Sequence, residues 1–250
     1  MAGHSKWKQI KRQKAVTDSR RAAVFTKLGR EISMAAKAGG GDPDGNPRLR
    51  LAILKAKEGN MPNDIITRAI DKAVNGSESA NLDEIVYEGY GPGGTAVMVE
   101  AVTDNRNRTA SEIRNAFGKG GGSLGEQGSV AWVFTTRGVI SMNLDPKLDA
   151  DELTLTAIDA GAEDVEVEED AISIYTKPDE LDQVRRALEE NGVQPESVDL
   201  ERVPNNTVSL EHKEALQTLR LLERLEDLDD VQKVYSNADF PEEALEEFNR

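Results

Sequence analysis

Residues 138–203, GVISMNLDPKLDADELTLTAIDAGAEDVEVEEDAISIYTKPDELDQVRRALEENGVQPESVDLERV, decide the fold. Short apolar runs bounded by Gly, Pro and Asp mark strands at 138–142, 164–168, 171–176 and 197–203, and longer segments mark helices at 149–160 and 179–191. The order is β-α-β-β-α-β, the split βαβ arrangement of a ferredoxin-like domain.

Working outward, strands at 84–90 and 95–102 are joined across Gly91-Pro92-Gly93-Gly94 and followed by a helix at 109–117 and a strand at 130–135. Beyond Pro204 come a short strand at 207–210, a helix at 212–225 and a strand at 231–235. Taken together, the strands at 95–102 and 130–135, their helix and these later elements complete a second β-α-β-β-α-β set. The expected organisation is therefore a discontinuous middle α/β domain, residues 84–136 and 204–240, with residues 137–203 inserted into it. The serial alternative leaves 206–250 as a separate appendage, and a lone helix and strand cannot readily build a core.

Residues 1–75 read as a helical domain, so the fold class is α+β with three domains: a helical bundle and two ferredoxin-like ones. Thr17 or Asp18 caps a helix to about Lys37 whose apolar stripe is Val24, Phe25, Leu28, Ile32 and Ala35. Gly29 inside it costs about 1 kcal/mol against Ala, so either a neighbour approaches closely there or the helix tolerates the loss. Gly39, Gly40 and Gly41 end that helix, Asn46-Pro47 opens a second, and Asn60 with Pro62 repeats the start signal for a third.

Charge separates this helical region from the rest. The first 40 residues carry ten Lys and Arg against Asp18 and Glu31, net +8, within a 250-residue chain whose net charge is −15. Through Asn75 the balance is 16 basic to 7 acidic residues, which leaves 15 basic and 39 acidic residues in the remaining 175. Such polarity points one end of the molecule at a polyanion.

The absence of Cys excludes disulfides and thiolate chemistry. The opening MAGHSKWKQIKRQKAV lacks the continuous apolar core of a secretion signal, and no run approaches the roughly 20 apolar residues of a membrane span, so a cytoplasmic protein without a membrane partner is expected. His4 and His212 lie in unrelated segments, and the carboxylates form charge runs rather than a set spaced around a base or metal. Glu166, Glu168, Glu169 and Asp170 read as the solvated end of a hairpin. No enzyme activity, metal or cofactor is expected.

Four segments carry a resemblance: MAGHSKW at 1–7, GGGDPDGNPRLRLAI at 39–53, GYGPGG at 89–94 with TDNRNRT at 103–109, and GGSLGEQGSVAW at 121–132. Together they resemble the YebC family of bacterial proteins, which includes a mitochondrial translational activator of cytochrome oxidase. The resemblance implies the same three domains and a regulator of gene expression. It implies either a DNA-binding transcriptional regulator or a ribosome-associated translation factor acting at proline-rich stretches.

The candidate nucleic-acid-binding residues are His4, Lys6, Trp7, Lys8, Lys11, Arg12, Lys14, Arg20, Arg21, Lys27 and Arg30, joined by Arg106 and Arg108 before the middle-domain helix. Residues 1–16 show no buried face; their cations suit phosphates and Trp7 suits stacking on an exposed base. The competing reading folds Trp7 onto the bundle and pairs Arg106 and Arg108 with carboxylates. Gly91–Gly94 and Gly118–Gly122 lack the GxxxxGK[ST] order; they are either tight turns or amide-rich surfaces for phosphate.

Three function classes follow: an RNA-binding, ribosome-associated regulator of translation, a DNA-binding regulator of transcription, and a protein-interaction scaffold. Ribosomal RNA is the physically better target, because an acidic majority opposes coating DNA along its length. A monomer is favoured.

Overall fold

The computed structural model describes residues 18–76, 82–143, 149–168 and 171–249, with side chains from Ala23 onward. The architecture is α+β, with helices leading and α/β elements following. Two compact units divide the chain, one running to Phe134 and resuming at Pro204, the other Thr135–Val203.

In the first unit, helices α1 (Asp18–Gly39), α2 (Pro47–Glu58) and α3 (Asn63–Asn75) enclose a small core. Ile32, Ala35 and Ala36 meet Leu49, Ala52 and Ala56 on α2 and Ile66 and Ala73 on α3, with Phe25 and Leu28 half-buried beside them. Alanines dominate the crossing, so the helices approach closely and buried area per residue is small.

One polar side chain sets the α1–α2 corner. Asn46 caps α2 by accepting from the Leu49 N–H at 3.1 Å, while its amide donates to the carbonyls of Ala35 and Gly40, both at 2.8 Å. Gly40, at φ +89°, turns the chain out of α1. Asn60 differs from the expected role of a cap for α3. At φ +57° it is the left-handed residue that closes α2, with the Met61 N–H bonded to the Ala56 carbonyl, and α3 starts after Pro62. Gly29 faces only the Met61 Cε at ordinary distance, so its helix tolerates the glycine.

The same unit contains the sheet β3-β1-β2-β9, built from β1 (Asp83–Tyr90), β2 (Ala96–Thr103), β3 (Ser123–Leu124) and β9 (Val231–Ser236). All its pairings are antiparallel, with Glu88 opposite Met98 and Met98 opposite Tyr235. One face, with Val97, Val99 and Val234, packs against Ile113 and Phe117 of α4 (Arg106–Lys119) and Leu219 and Leu222 of α7 (His212–Glu226). The other, with Ala96, Met98 and Tyr235, is covered by Val130, Val133 and Phe134. Both faces of β2 are therefore buried, which explains why its residues are apolar apart from Glu100 and Thr103.

Two strands differ from the sequence expectation. Residues 131–133 form a 3-10 turn, and Phe134 then begins β4 (Phe134–Asn143). The segment near 207–210 contributes only β8 (Val208–Ser209), parallel to β10 (Ala238–Asp239), outside the four-stranded sheet. The chain ends in α8 (Glu242–Asn249).

The second unit has the sheet order β5-β6-β4-β7, with β5 (Asp164–Val167), β6 (Ala171–Thr176) and β7 (Ser197–Pro204). Helices α5 (Ala150–Asp159) and α6 (Leu181–Glu190) fall at the crossovers, giving β-α-β-β-α-β in chain order. Ile140 pairs with Ile174, and both are fully buried, as are Ala157, Val184 and Leu188. Glu166 and Glu168 lie at the β5–β6 hairpin; Glu169 and Asp170 lie outside the described residues.

Candidate nucleic-acid interface

Two buried carboxylates organise the first unit's polar surface. The first is Asp230, between α7 and β9, whose side chain is 3% exposed. Its Oδ2 accepts from Thr109 Oγ1 at 2.7 Å, Thr103 Oγ1 at 3.1 Å and Arg108 Nη2 at 2.7 Å, and its Oδ1 faces Arg30 Nη1 at 3.0 Å. Burial pushes its carboxyl up, but the bonds from Arg108 and Thr109, the nearby Arg30 charge and Thr103 outweigh this and hold it below its ordinary value.

Helix α1 docks through this cluster. Arg30 also donates to the Asp229 carbonyl at 2.6 Å, and Lys27, one turn earlier, donates to the carbonyl of Glu226, the last residue of α7. A cation there meets the negative end of the α7 dipole. Asn105 caps α4 through the Arg108 N–H, and Arg106 pairs with Asp83 at 2.8 Å, which lowers the Asp83 carboxyl through that hydrogen bond.

Of the candidate residues, Lys27, Arg30, Arg106 and Arg108 are thus brought together, each against internal acceptors. Arg106 and Arg108 keep 65% and 43% of their side chains exposed, so their outer edges face solvent. Arg20 and Arg21 lie in the first turn of α1. His4, Lys6, Trp7, Lys8, Lys11, Arg12 and Lys14 lie outside the described residues.

The second carboxylate, Glu88, is missing from the sequence candidates. Alternation along β1 places Val86, Glu88 and Tyr90 on one face, which was the available signal. Glu88 is 4% exposed and accepts from the N–H groups of Gly128, Val130 and Ala131, all at 2.8 Å. A carboxylate holding three amide donors is a strong local organiser. It explains why an apolar run that looks like a strand at 130–135 turns instead: the donors a ladder would use are already taken.

Beyond Glu88 stand two aromatic residues the sequence reading also omitted. Trp132 is 71% exposed and Tyr90 41%. The Trp132 indole N–H and the Tyr90 hydroxyl both donate to the Ser129 carbonyl, at 3.1 and 2.9 Å.

Among the described residues, no group of three or more His, Asp and Glu is arranged to hold a metal ion, and no helix is long and apolar enough to cross a membrane. Gly93 and Gly94, at φ +68° and +75°, make the β1–β2 connection a tight turn.

Within the first unit, three helices are latched to an α/β part through the buried Asp230, and guanidinium edges and aromatic rings stand exposed on a mixed α+β fold. Residues 5–76 match the TACO1/YebC protein N-terminal domain, and residues 82–238 match the TACO1/YebC second and third domain. The chain belongs to the TACO1/YebC family. It is similar to a probable transcriptional regulatory protein of Dehalococcoides mccartyi, 53% identical and covering 100% of this chain and 99% of that protein. One of the same description from Herpetosiphon aurantiacus is 53% identical, over 99% and 98% of the two chains. The crystal structure of a conserved hypothetical protein from Aquifex aeolicus superposes with a TM-score of 0.83 at 46% identity, covering 90% of this chain and 93% of that one.

Proposed function

We propose that this chain is a non-enzymatic, nucleic-acid-binding regulator of gene expression that acts in the cytoplasm on ribosomal RNA and relieves ribosome stalling at proline-rich stretches. The observation that carries this reading is the charge asymmetry: net +8 in the first 40 residues of a chain that is otherwise strongly acidic. A basic end reaches an RNA-lined cavity, while the acidic majority keeps the chain from coating a polyanion along its whole length. Residues 4–21 supply phosphate contacts, and the exposed edges of Arg106 and Arg108 supplement them. Residues 84–136 with 204–240 act as the middle domain, and 137–203 as the inserted one.

Regulation needs no catalytic side chain, because tighter binding to a productive arrangement than to a stalled one shifts the population. Ribosome profiling with transcript counts, in cells with and without the gene, tests this. The expected outcome is accumulation of ribosomes at consecutive proline codons with messenger levels largely unchanged. Unchanged ribosome positions with altered transcripts and crosslinking to their promoters would replace it with a second reading, a DNA-binding regulator of transcription. That alternative is favoured by the relatives, which are described as probable transcriptional regulatory proteins.

A further inference from the structure

The geometry points to a second nucleic-acid contact, a stacking platform for unpaired RNA bases made by Trp132 and Tyr90. This rests on the nucleic-acid reading above and adds a site that the basic residues do not include.

Both rings are prepositioned. Their polar atoms converge on a single acceptor, the Ser129 carbonyl, and Ser129 belongs to the segment that Glu88 clamps through backbone amides on either side of it. A tryptophan left 71% exposed on a held 3-10 turn forfeits the burial its ring would otherwise gain, yet little ordering remains to be lost when a flat partner lands on it. With the indole N–H and the phenol hydroxyl both occupied internally, what is presented outward is ring surface without a hydrogen-bonding code. That chemistry suits sequence-tolerant stacking on bases.

The surroundings favour a nucleic acid over a protein. The apolar sequence neighbours Val130, Val133 and Phe134 are turned inward, while Glu126 and Gln127, earlier in the same loop, are exposed. The ring therefore projects past a polar loop rather than from a run of exposed apolar side chains as at a protein interface. The glycine turn after α4 runs against Tyr90, since Ser123 pairs with Tyr90 and a Cβ on Gly122 would lie 2.4 Å from the Tyr90 carbonyl oxygen. Exposed Lys119 at the start of that turn supplies a cation for the backbone of a stacked strand. The buried Glu88 charge is answered by its three amides and does not repel phosphate at full strength.

The chain has two tryptophans, so a Trp7→Phe background, excited at the red edge where its four tyrosines do not absorb, leaves Trp132 as the sole emitter. Titrating that full-length protein with an unstructured 12-residue oligouridine should quench its emission to saturation. In the otherwise native chain, Trp132→Ala should weaken oligouridine binding by about 5- to 150-fold, the loss expected for one stacked base, and leave duplex DNA binding unchanged. Trp132→Phe should recover most of the loss. Circular dichroism of each variant checks that the fold persists.

Unaltered oligouridine affinity in Trp132→Ala, equal losses on duplex and single strand, or emission indifferent to RNA but shifted by RNA-free ribosomal proteins would each overturn the platform. The nucleic-acid reading fails by a different result: deletion of residues 1–16 leaving affinity for both nucleic acids intact. With about five phosphate contacts in that arm, duplex binding in the intact chain should follow a log–log salt slope of about −4.5.

Discussion

Asp230 and Glu88 are both buried acids in one compact unit, yet they organise different scales of structure. Asp230 is met by side chains from distant segments, Arg30 on α1 and Arg108, Thr103 and Thr109 around the start of α4, so it ties elements together. Glu88 is met by three backbone amides within four consecutive residues, so it shapes one loop. The contrast shows that the partner, not the buried charge itself, decides what an acid organises. Side-chain cations can come from anywhere in the chain, whereas consecutive amides impose a local path.

The largest expected effect tests the loop. Glu88→Ala strands the buried Val130 amide and the part-buried Gly128 and Ala131 amides, and should destabilise by about 3 kcal/mol or more, at about 1–3 kcal/mol per stranded donor. Urea unfolding gives that value, and amide exchange should show protection lost first over 125–134. Global loosening that includes α1 would erase the distinction between the two acids.

A somewhat smaller loss is expected at the latch. Asp230→Ala should cost about 2–3 kcal/mol, because two threonine hydroxyls and two partly exposed guanidiniums lose an acceptor that water replaces only in part. Here amide exchange should rise in α1 and at the start of α4 together, while residues 128–131 keep their protection.

Acid sharpens the comparison further. The Asp230 carboxyl lies below its ordinary value in the folded state, so its contribution is present in full well above the unfolded value of about 3.9 and is lost as pH falls through the lower folded one. Asp230→Asn should therefore flatten the acid side of the stability curve below about pH 4 and leave the shape above about pH 5 unchanged. Urea midpoints from pH 7 to 3 measure it. The smallest effect belongs to Arg106→Ala, whose pair with Asp83 is half open to solvent, and no change in urea midpoint beyond its error is expected.

Much of this architecture was legible in the chain. Asn46-Pro47 announces α2 because capping and a fixed proline φ act over three residues, and the β-α-β-β-α-β order of 138–203 shows in its periodicity because each element there buries one face. Asn60 is ambiguous in the sequence, since the same residue type serves a helix start and a left-handed helix end, and only backbone geometry separates them. Polarity of charge was equally plain, being a sum over composition.

What tertiary structure alone decided are the pairings and exposures. Arg30 and Arg108 sit 200 and 122 residues from Asp230, and nothing local to either guanidinium reveals that carboxylate. Val130 to Phe134 carries the pattern of a strand, but whether its donors join a ladder depends on an acid 42 residues before Val130 that takes two of them first. The same distant acid leaves Trp132 standing in solvent, a placement its apolar neighbours in sequence argue against. Local signals choose an element from short-range sterics and periodicity; where a hydrogen-bond donor finds its acceptor is fixed only once the sheet has closed.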